Sequence, residues 1–348
     1  MCRFDAGYTT ITGTRDELAK AGDAWGSLRT PSRLGLAPPA IRTLDNLGDH
    51  FNDPNCPATA VVRHDPALGR RPANELQAEF LIHPATPRVI CEPGFRLRVA
   101  DDGSPGGVPV TVSITPAKVA AAQGSIAAGA LRKVAVIDSG DLPGGANMVD
   151  FLGPATPPPS YTLTDDDHGH GSAISQLIRD LRPSVSIEAV RIVDSAGVAD
   201  SFDLFLALVY SMWPGTFEIV NVSLTQDILG QCETWLGATL TFILEQCRNS
   251  GKGSNALLVA AAGNDPNVEA QYPALLPDAI VATASDWSGV SASYNSTTIA
   301  AARSGTIVQA YGGLPTDPFG TWTDRAGAQH AMWGTSFAAA VVTASYLS

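Results

Sequence analysis

Lys133-Val134-Ala135-Val136-Ile137-Asp138 is the stretch that decides the fold of this 348-residue chain. Its apolar run is almost continuous and ends in a carboxylate. A run of this kind is typical of a central parallel strand that is buried on both faces. Open parallel sheets bind ligands beyond the carboxyl ends of their strands, so Asp138 is expected at the functional edge of the sheet.

From residue 132 onward, strand patterns alternate with helix patterns. Strands are predicted over 186–193, 218–224, 256–262 and 279–283, and helices over 171–181, 200–212 and 232–249. This alternation predicts an α/β fold built on a doubly wound parallel sheet with right-handed crossovers.

The amino-terminal third has a different sequence pattern, which predicts a smaller α+β or β-rich domain over residues 1–118. Thr14 and Glu17 have the spacing of a capping box, which predicts a helix near 14–24. The stretches 76–82 and 95–99 alternate apolar and polar residues and are predicted as strands. Gly, Pro and Ala dominate 101–132, so we expect a linker over 119–131 and a second domain over 132–348.

Composition limits the class of protein. The chain is 45% hydrophobic and 16% charged with a net charge of −12, which is typical of a soluble globular protein. Residues 119–348 carry 9 basic against 21 acidic side chains, a balance that repels phosphate backbones and argues against nucleic acid. No apolar run reaches the ~18 residues of a membrane span, and the first residues lack a secretion signal. We therefore expect an intracellular, cytoplasmic protein without a membrane partner.

The five cysteines, at positions 2, 56, 91, 232 and 247, form no CxxC pair. An odd number without this spacing argues against a disulfide framework or a zinc site. We expect buried free thiols.

Polar side chains that could take part in catalysis occur where these elements begin or end. Asp138 ends the first buried strand, His168-Gly169-His170-Gly171-Ser172 opens a helix, Asn264 follows a strand, and Ser336 lies between Gly334 and an Ala-rich helix. Each has an ordinary structural alternative: a strand-end Asp is often a turn cap, Gly263-Asn264-Asp265 is a good turn, and Ser336 suits a helix N-cap.

Taken together in chain order, Asp138-Ser-Gly, Gly169-His170-Gly171-Ser172, Ala262-Gly263-Asn264 and Gly334-Thr335-Ser336-Phe-Ala-Ala resemble the signature blocks of the subtilisin-like serine proteases, the subtilases. The resemblance covers residues 132–348, and the blocks are separated by 32, 94 and 72 residues. Four blocks in this order form a specific pattern.

The resemblance implies a triad and an oxyanion donor. Ser336 Oγ would be the nucleophile, His170 the base that takes and returns its proton, and Asp138 the group that orients the imidazole. Asn264 would donate its side-chain amide to the oxyanion, beside the Ser336 N–H. Of the two neighbouring histidines we choose His170, because it stands in the family block. His168 and the acidic run 165–167 are expected to form a solvated loop rather than a metal site.

The resemblance also implies residues that contact the substrate, namely Ser223, Leu224, Thr225, Ala261, Ala262, Gly263 and Gln271. Thr225 stands where relatives often have glycine, and Gln271 lies at the base of the pocket for the residue before the cut. We expect both to narrow this pocket and to favour small or polar side chains. The Tyr272–Pro273 bond is expected to be cis, as in relatives.

We accordingly expect a serine endopeptidase that acts on polypeptides without a cofactor. Calcium is common in relatives, but the sequence assigns no ligand to it. Two alternatives remain: a catalytically silent module that binds a peptide or protein, and a regulated protease specific for one partner protein. Residues 1–118 are either an inhibitory prosegment or a permanent domain for docking or regulation, on which a partner protein would bind.

Overall fold

The computed structural model describes residues 7–42, 44, 47, 49–68, 70–83, 88–93, 96–98, 110–123, 132–142, 147–152, 160–162, 166–226, 233–249, 255–298 and 305–347. An eight-stranded sheet lies at its centre. In spatial order its strands are β16 (Thr306–Tyr311), β15 (Ile280–Ser285), β14 (Leu257–Ala261), β12 (Ile219–Val222), β7 (Lys133–Asp138), β10 (Ser186–Arg191), β8 (Asn147–Asp150) and β9 (Ser160–Thr162). Neighbours are parallel from β16 to β8, and β9 is antiparallel to β8.

Helices cover both faces of this sheet, which confirms the predicted doubly wound α/β fold. The side chains of β7 point alternately to the two faces of the sheet. Val134 and Val136 belong to the hydrophobic cluster of α5 (His170–Leu181) and α8 (Thr335–Tyr346). Ala135 and Ile137 belong to the cluster of α6 (Ser201–Met212) and α7 (Glu233–Asn249). Burial on both sides explains the uninterrupted apolar run of the strand.

A smaller antiparallel sheet precedes this body, as the sequence predicts. Its order is β2 (Ala40–Arg42), β3 (Pro57–Arg63), β1 (Tyr8–Thr14) and β4 (Ile90–Pro93). We call these four strands the N-terminal sheet. Helices α1 (Arg15–Ala24), α2 (Arg29–Leu34) and α3 (Arg71–Ile82) accompany it. The predicted capping box begins α1, where the Thr14 N–H donates to Glu17 Oε2 at 3.0 Å and the Glu17 N–H donates to Thr14 Oγ1 at 3.3 Å.

The strand predicted over 76–82 is wrong, because these residues lie in α3. Ala73, Leu76 and Phe80 are buried at spacings of three and four, which is the helical period. Leu81 and Ile82, which end the stretch, are 69% and 83% exposed. The second predicted strand, over 95–99, corresponds to β5 (Arg96–Arg98).

Residues that follow the N-terminal sheet pair with elements of the larger body. β5 lies between β11 (Val198–Asp200) and β13 (Thr225–Gln226) and is antiparallel to both. β6 (Thr111–Ile114) pairs with β17 (Gly320–Thr323), which pairs with β18 (Gln329–Ala331). Helix α4 (Pro116–Gln123) packs on α5. The division at 118 and 131 stays a prediction, and 124–131 lie outside the described residues.

The described cysteines are buried, as the sequence predicts. Cys56, Cys91 and Cys247 are buried, whereas Cys2 and Cys232 lie outside the described residues. In the described part of the chain, no helix combines the length and the apolar composition that crossing a bilayer demands.

Candidate active site

Asp138 is the last residue of β7, the strand that lies between β12 and β10 in the sheet. Its side chain is fully buried. Both carboxyl oxygens accept from His170 Nδ1–H, at 2.9 and 3.0 Å, and Oδ1 also accepts from the Ser139 N–H at 2.8 Å. A carboxylate in this position holds the proton on Nδ1 and leaves Nε2 as the acceptor nitrogen of the ring.

His170 is the first residue of α5 and is 3% exposed. Close contact with the end of β7 depends on Gly171, since a Cβ there would lie 2.5 Å from the Gly140 carbonyl oxygen. The Gly171 N–H donates to Ser139 Oγ at 2.8 Å. The glycine thus lets the helix approach the strand closely enough for the imidazole to reach Asp138.

Asp166 organises the turn in front of His170. Its carboxylate accepts four hydrogen bonds: from His168 N–H at 3.1 Å, Gly169 N–H at 2.7 Å, Ser172 N–H at 2.8 Å and Ser172 Oγ–H at 2.6 Å. Negative charge at a helix N-terminus is favoured, because the first N–H groups of the helix lack intrahelical acceptors. Asp166 therefore fixes the start of α5 and with it the position of His170.

The expectation of a solvated loop here is wrong. Asp166 and His168 are both buried, and the His168 ring stacks on His330 with centroids 6.3 Å apart. Asp165 lies outside the described residues. The burial follows from the hydrogen bonds of Asp166, which need a compact turn. The signal in the sequence was the spacing of an acid four residues before His170 and six before Ser172.

Two aromatic rings enclose the imidazole of His170. Trp322 and Phe337 contact it edge to face, with centroid distances of 5.7 and 5.8 Å. Trp322 also stacks on His330 at 5.0 Å. His330 Nε2 lies 2.9 Å from Asp324 Oδ2, and although burial opposes it, this contact helps to keep the pKa of Asp324 below its ordinary value.

Ser336 lies in the first turn of α8 and is 4% exposed. Its hydroxyl donates to the Ser223 carbonyl at 3.3 Å. The next residue, Phe337, is one of the two aromatic residues that contact the His170 ring. Ser336 therefore lies at the same edge of the sheet as Asp138 and His170. Gly334 before it has a φ of 124° and lies so close to Asn264 that a Cβ would be 2.7 Å from Nδ2.

Asn264 follows β14 and is oriented by Thr335, a residue that the sequence analysis did not single out. Asn264 Oδ1 accepts from the Thr335 N–H at 2.8 Å and from Thr335 Oγ1–H at 3.0 Å. Thr335 Oγ1 in turn accepts from the Gly263 N–H at 3.0 Å. With Oδ1 committed in this way, the amide nitrogen is the group that Asn264 has left to donate. The position of Thr335 next to Ser336 is the signal that could have identified it.

Of the seven residues expected to contact substrate, Ser223 contacts Ser336 and Gly263 contacts Thr335. The side chains of the seven differ in their surroundings. Leu224 and Ala262 belong to the hydrophobic cluster of α6 and α7, and Ala261 belongs to that of α5 and α8. These three therefore have only backbone groups to offer a substrate. Ser223 is buried and its carbonyl accepts from Ser336.

Thr225 and Gly263 face each other across a narrow gap. A Cβ on Gly263, whose φ is 107°, would lie 3.5 Å from Thr225 Cγ2 and 2.7 Å from Ser296 Oγ. Gln271 is 7% exposed and its amide nitrogen donates to the Glu269 carbonyl at 2.8 Å. The Tyr272–Pro273 bond is cis, as expected.

The cleft, defined here as the space between β11 and β13, is occupied by β5 of the chain itself. Arg98 pairs with Val198 on one side and with Thr225 on the other, and Leu97 pairs with Ala199 and Gln226. Thr225 lies two residues after Ser223, the residue that Ser336 contacts. An extended segment from the amino-terminal part of the chain thus runs antiparallel toward Ser336. The sequence predicted a strand at 95–99 but not its partners.

Candidate metal ligands do not cluster in the part of the chain that the structure describes. No group of three or more His, Cys, Asp or Glu side chains is arranged there to hold an ion. The expectations for cofactors therefore stay predictions.

Comparison with known proteins identifies the family of this chain. The sequence profile of the subtilase family matches residues 132–347. The minor extracellular protease Epr of Bacillus subtilis (strain 168) is 29% identical over 184 residues, which are 47% of this chain and 25% of Epr. Subtilisin Savinase of Lederbergia lenta is 26% identical over 181 residues, 47% of this chain and 59% of that protein. The chain thus spans between a quarter and three fifths of the length of these relatives.

Among solved structures, the prenylagaramide maturation protease PagA is similar with a TM-score of 0.46 and 22% sequence identity. The likeness covers 66% of this chain and 77% of that chain.

Proposed function

The chain belongs to the subtilase family, and on that basis we propose that it is a serine endopeptidase that hydrolyses peptide bonds through an acyl-enzyme. Asp138, His170 and Ser336 form the triad, and Asn264 donates to the oxyanion. The observation that carries this proposal is the buried contact of His170 Nδ1 with both oxygens of Asp138, at the sheet edge where Ser336 begins α8.

In the first half of the reaction, the Ser336 hydroxyl turns from the Ser223 carbonyl toward His170 and attacks the substrate carbonyl carbon. His170 Nε2 takes the hydroxyl proton, and Asp138 stabilises the imidazolium that results. The oxyanion lies between the Asn264 amide and the Ser336 N–H. The C–N bond then breaks, His170 gives its proton to the leaving amine, and an ester with Ser336 remains.

In the second half, a water molecule attacks the ester carbonyl while His170 takes one of its protons. The C–O bond to Ser336 breaks, the proton returns to the Ser336 oxygen, and the free carboxylic acid leaves. Proton transfer of this kind requires the neutral imidazole of His170.

Labelling with a fluorophosphonate tests this function. The wild-type protein is expected to form one covalent adduct at Ser336, and the Ser336→Ala variant none. A folded wild-type protein that never labels, even after release of residues 1–118, would favour the silent binding module. A protease that labels but cuts only one protein among many would favour the regulated enzyme with a single partner.

The position of β5 favours the inhibitory prosegment among the two roles expected for residues 1–118. A strand that pairs on both sides of the cleft takes the place of an extended polypeptide substrate, because substrate binding by strand addition uses the same backbone groups. Mass spectrometry of the purified protein tests this role. Cleavage between Arg98 and Lys133 in the wild type, absent in Ser336→Ala, supports the prosegment, whereas an intact wild-type chain that labels at Ser336 supports a permanent domain.

The pocket next to Ser336 is proposed to take small or polar side chains. Thr225 Cγ2 reaches over Gly263 and reduces the space between the two segments. Gln271 Oε1 is buried and has no hydrogen-bond partner among the described residues, so it is an acceptor for a polar substrate group. A peptide-library profile dominated by large aromatic residues would contradict this preference, and Thr225→Gly is expected to shift the profile toward larger side chains.

A further inference from the structure

Glu92 is a buried acid at the contact between the N-terminal sheet and the larger body. It lies on β4, and its side chain is 2% exposed. β4 packs against β1, α3 and α7, and of these α7 belongs to the larger body. β4 ends at Pro93, and β5, which occupies the cleft, begins at Arg96. A change at Glu92 therefore lies directly before β5, the strand that occupies the cleft.

The surroundings of Glu92 do not support a negative charge. The polar groups that face its carboxyl are the hydroxyl and the backbone N–H of Thr239 on α7. Neither carboxyl oxygen makes a hydrogen bond of normal geometry within the described part of the chain, and neither does Thr239 Oγ1. An unpaired carboxylate in such a place costs far more free energy than a neutral carboxylic acid.

Charged groups on the neighbouring elements do not relieve this cost. No described basic side chain of β1, α3 or α7 contributes to the electrostatics of Glu92. The titratable group that interacts with it in the described residues is the Cys91 thiol. Burial raises the pKa of this thiol, and the charge of Glu92 raises it further. β1 offers the Thr10 hydroxyl, but this donates to the Glu92 backbone carbonyl at 3.1 Å rather than to the carboxyl.

The backbone around Glu92 is held firmly, so the side chain cannot easily turn to water while the sheet stays docked. The Cys91 N–H donates to Gln77 Oε1 at 2.8 Å, and the Gln77 amide nitrogen donates to the Val89 carbonyl at 3.1 Å. These contacts attach the free edge of β4 to α3. Exposure of the carboxyl thus requires β4 to move away from α7.

We propose that Glu92 is a pH-sensitive switch of the cleft: its ionisation separates the N-terminal sheet from α7 and withdraws β5 from the space between β11 and β13. The proposal rests on the proposed function, because it assigns a regulatory role to the same site. It identifies the proton as the ligand that keeps the cleft closed.

The direction of the pH dependence follows from linkage. Burial raises the pKa of Glu92 from its ordinary 4.5 to about 8 while the sheet is docked. The docked state therefore binds the proton more tightly than the open state. Docking is strongest below pH 4.5, weakens by up to about tenfold per pH unit as the pH rises toward 8, and levels off above it, where both states are ionised.

Hydrogen exchange of the full chain tests the switch in a Ser336→Ala background, which prevents self-cleavage. The measurement is the protection of the Leu97 amide between pH 5 and 9, corrected for the intrinsic exchange rate. Protection is expected to fall steeply with pH in the parent and to be independent of pH in Glu92→Gln, which keeps the shape but cannot ionise. Asp23→Asn, an exposed acid on α1, is the matched control and should follow the parent.

Equal pH slopes in the parent and Glu92→Gln would overturn the proposal. Should Glu92→Gln fail to fold, Glu92→Leu provides the same comparison, since it also removes the charge and suits an apolar site. The readout does not depend on catalysis. A pH-independent Leu97 amide, together with labelling of the wild-type chain at Ser336, refutes the switch alone. A folded wild-type chain that never labels, even after release of residues 1–118, refutes the protease and leaves the exchange result intact.

Discussion

Two acidic residues, Asp138 and Asp166, hold His170 in place, and they differ in the groups with which they form hydrogen bonds. Asp138 contacts the imidazole itself through both carboxyl oxygens. Asp166 contacts only the backbone and the Ser172 side chain around it. The first is placed to affect the chemistry of the ring, and the second is placed to affect the stability of the helix that carries it.

Replacement of these two acids by the amide is expected to give opposite signatures. In Asp138→Asn the amide group can donate to Nδ1, which favours the wrong tautomer, so kcat should fall by about 10⁴-fold with little change in Tm. In Asp166→Asn the amide cannot accept all four hydrogen bonds, so the free energy of unfolding should fall by about 1–3 kcal/mol with a much smaller loss of kcat. Steady-state kinetics and chemical denaturation measure the two effects. A larger kcat loss in Asp166→Asn would contradict the assignment.

Asn264→Asp tests the proposed role of Asn264 as the oxyanion donor. The carboxylate keeps the acceptor oxygen for the Thr335 N–H and hydroxyl but removes the donating nitrogen. We expect kcat to fall by about 10²–10³-fold or more while KM and Tm change little. Thr335→Ser keeps the hydroxyl and serves as the control with near wild-type kcat. An unchanged kcat in Asn264→Asp would exclude Asn264 as the donor.

At the scale of elements, the site depends on how closely α5 and α8 approach the strand ends. Both helices begin at glycine-containing turns, and Gly171 and Gly334 lie where a Cβ would meet Gly140 or Asn264. The short strand β5 occupies the cleft between β11 and β13 through backbone pairing. Close packing of backbone on backbone, rather than side-chain contacts alone, thus sets the distances at the site.

Gly171→Ala tests this dependence on close approach. The added methyl group overpacks the contact between α5 and the end of β7, so we expect a loss of about 1–3 kcal/mol in the free energy of unfolding. Gly22→Ala on α1 is the matched control, because nothing lies within 4 Å of its Cβ position. That change should be neutral or stabilise by up to about 1 kcal/mol. Urea denaturation of both variants checks the prediction, and equal stabilities would contradict it.

At the scale of the whole molecule, the amino-terminal part is joined to the larger body by shared core and by strand pairing. Tyr8, Phe51 and Leu97 belong to the same hydrophobic cluster as α6 and α7. The Phe51 and Tyr210 rings stack with centroids 5.9 Å apart. The cleft strand is therefore anchored by a contact much larger than its own three residues.

Leu97→Asp is expected to open the cleft. Leu97 is fully buried in this shared cluster, and a charge there leaves an unpaired carboxylate in an apolar site. The rate of fluorophosphonate labelling at Ser336 should rise by about tenfold or more, since a destabilisation of about 1.4 kcal/mol already gives that factor. Ile82→Asp, at a position that is 83% exposed on α3, is the control and should label like the wild type. Equal labelling rates in the two variants would contradict a blocking role for β5.

The sequence by itself determined the α/β sheet and the places of four polar residues on it: Asp138 ends a strand, His170 and Ser336 lie at the starts of helices, and Asn264 follows a strand. Buried parallel strands and their helices have strong local periods, and right-handed crossovers bring all carboxyl ends of the strands to one edge. Only the tertiary structure decided the rest: the helix at 76–82, the burial of Asp166 and His168, the role of Thr335, and the occupation of the cleft by β5. Strands of two or three residues have no period to detect, and each of these features depends on a partner distant in sequence.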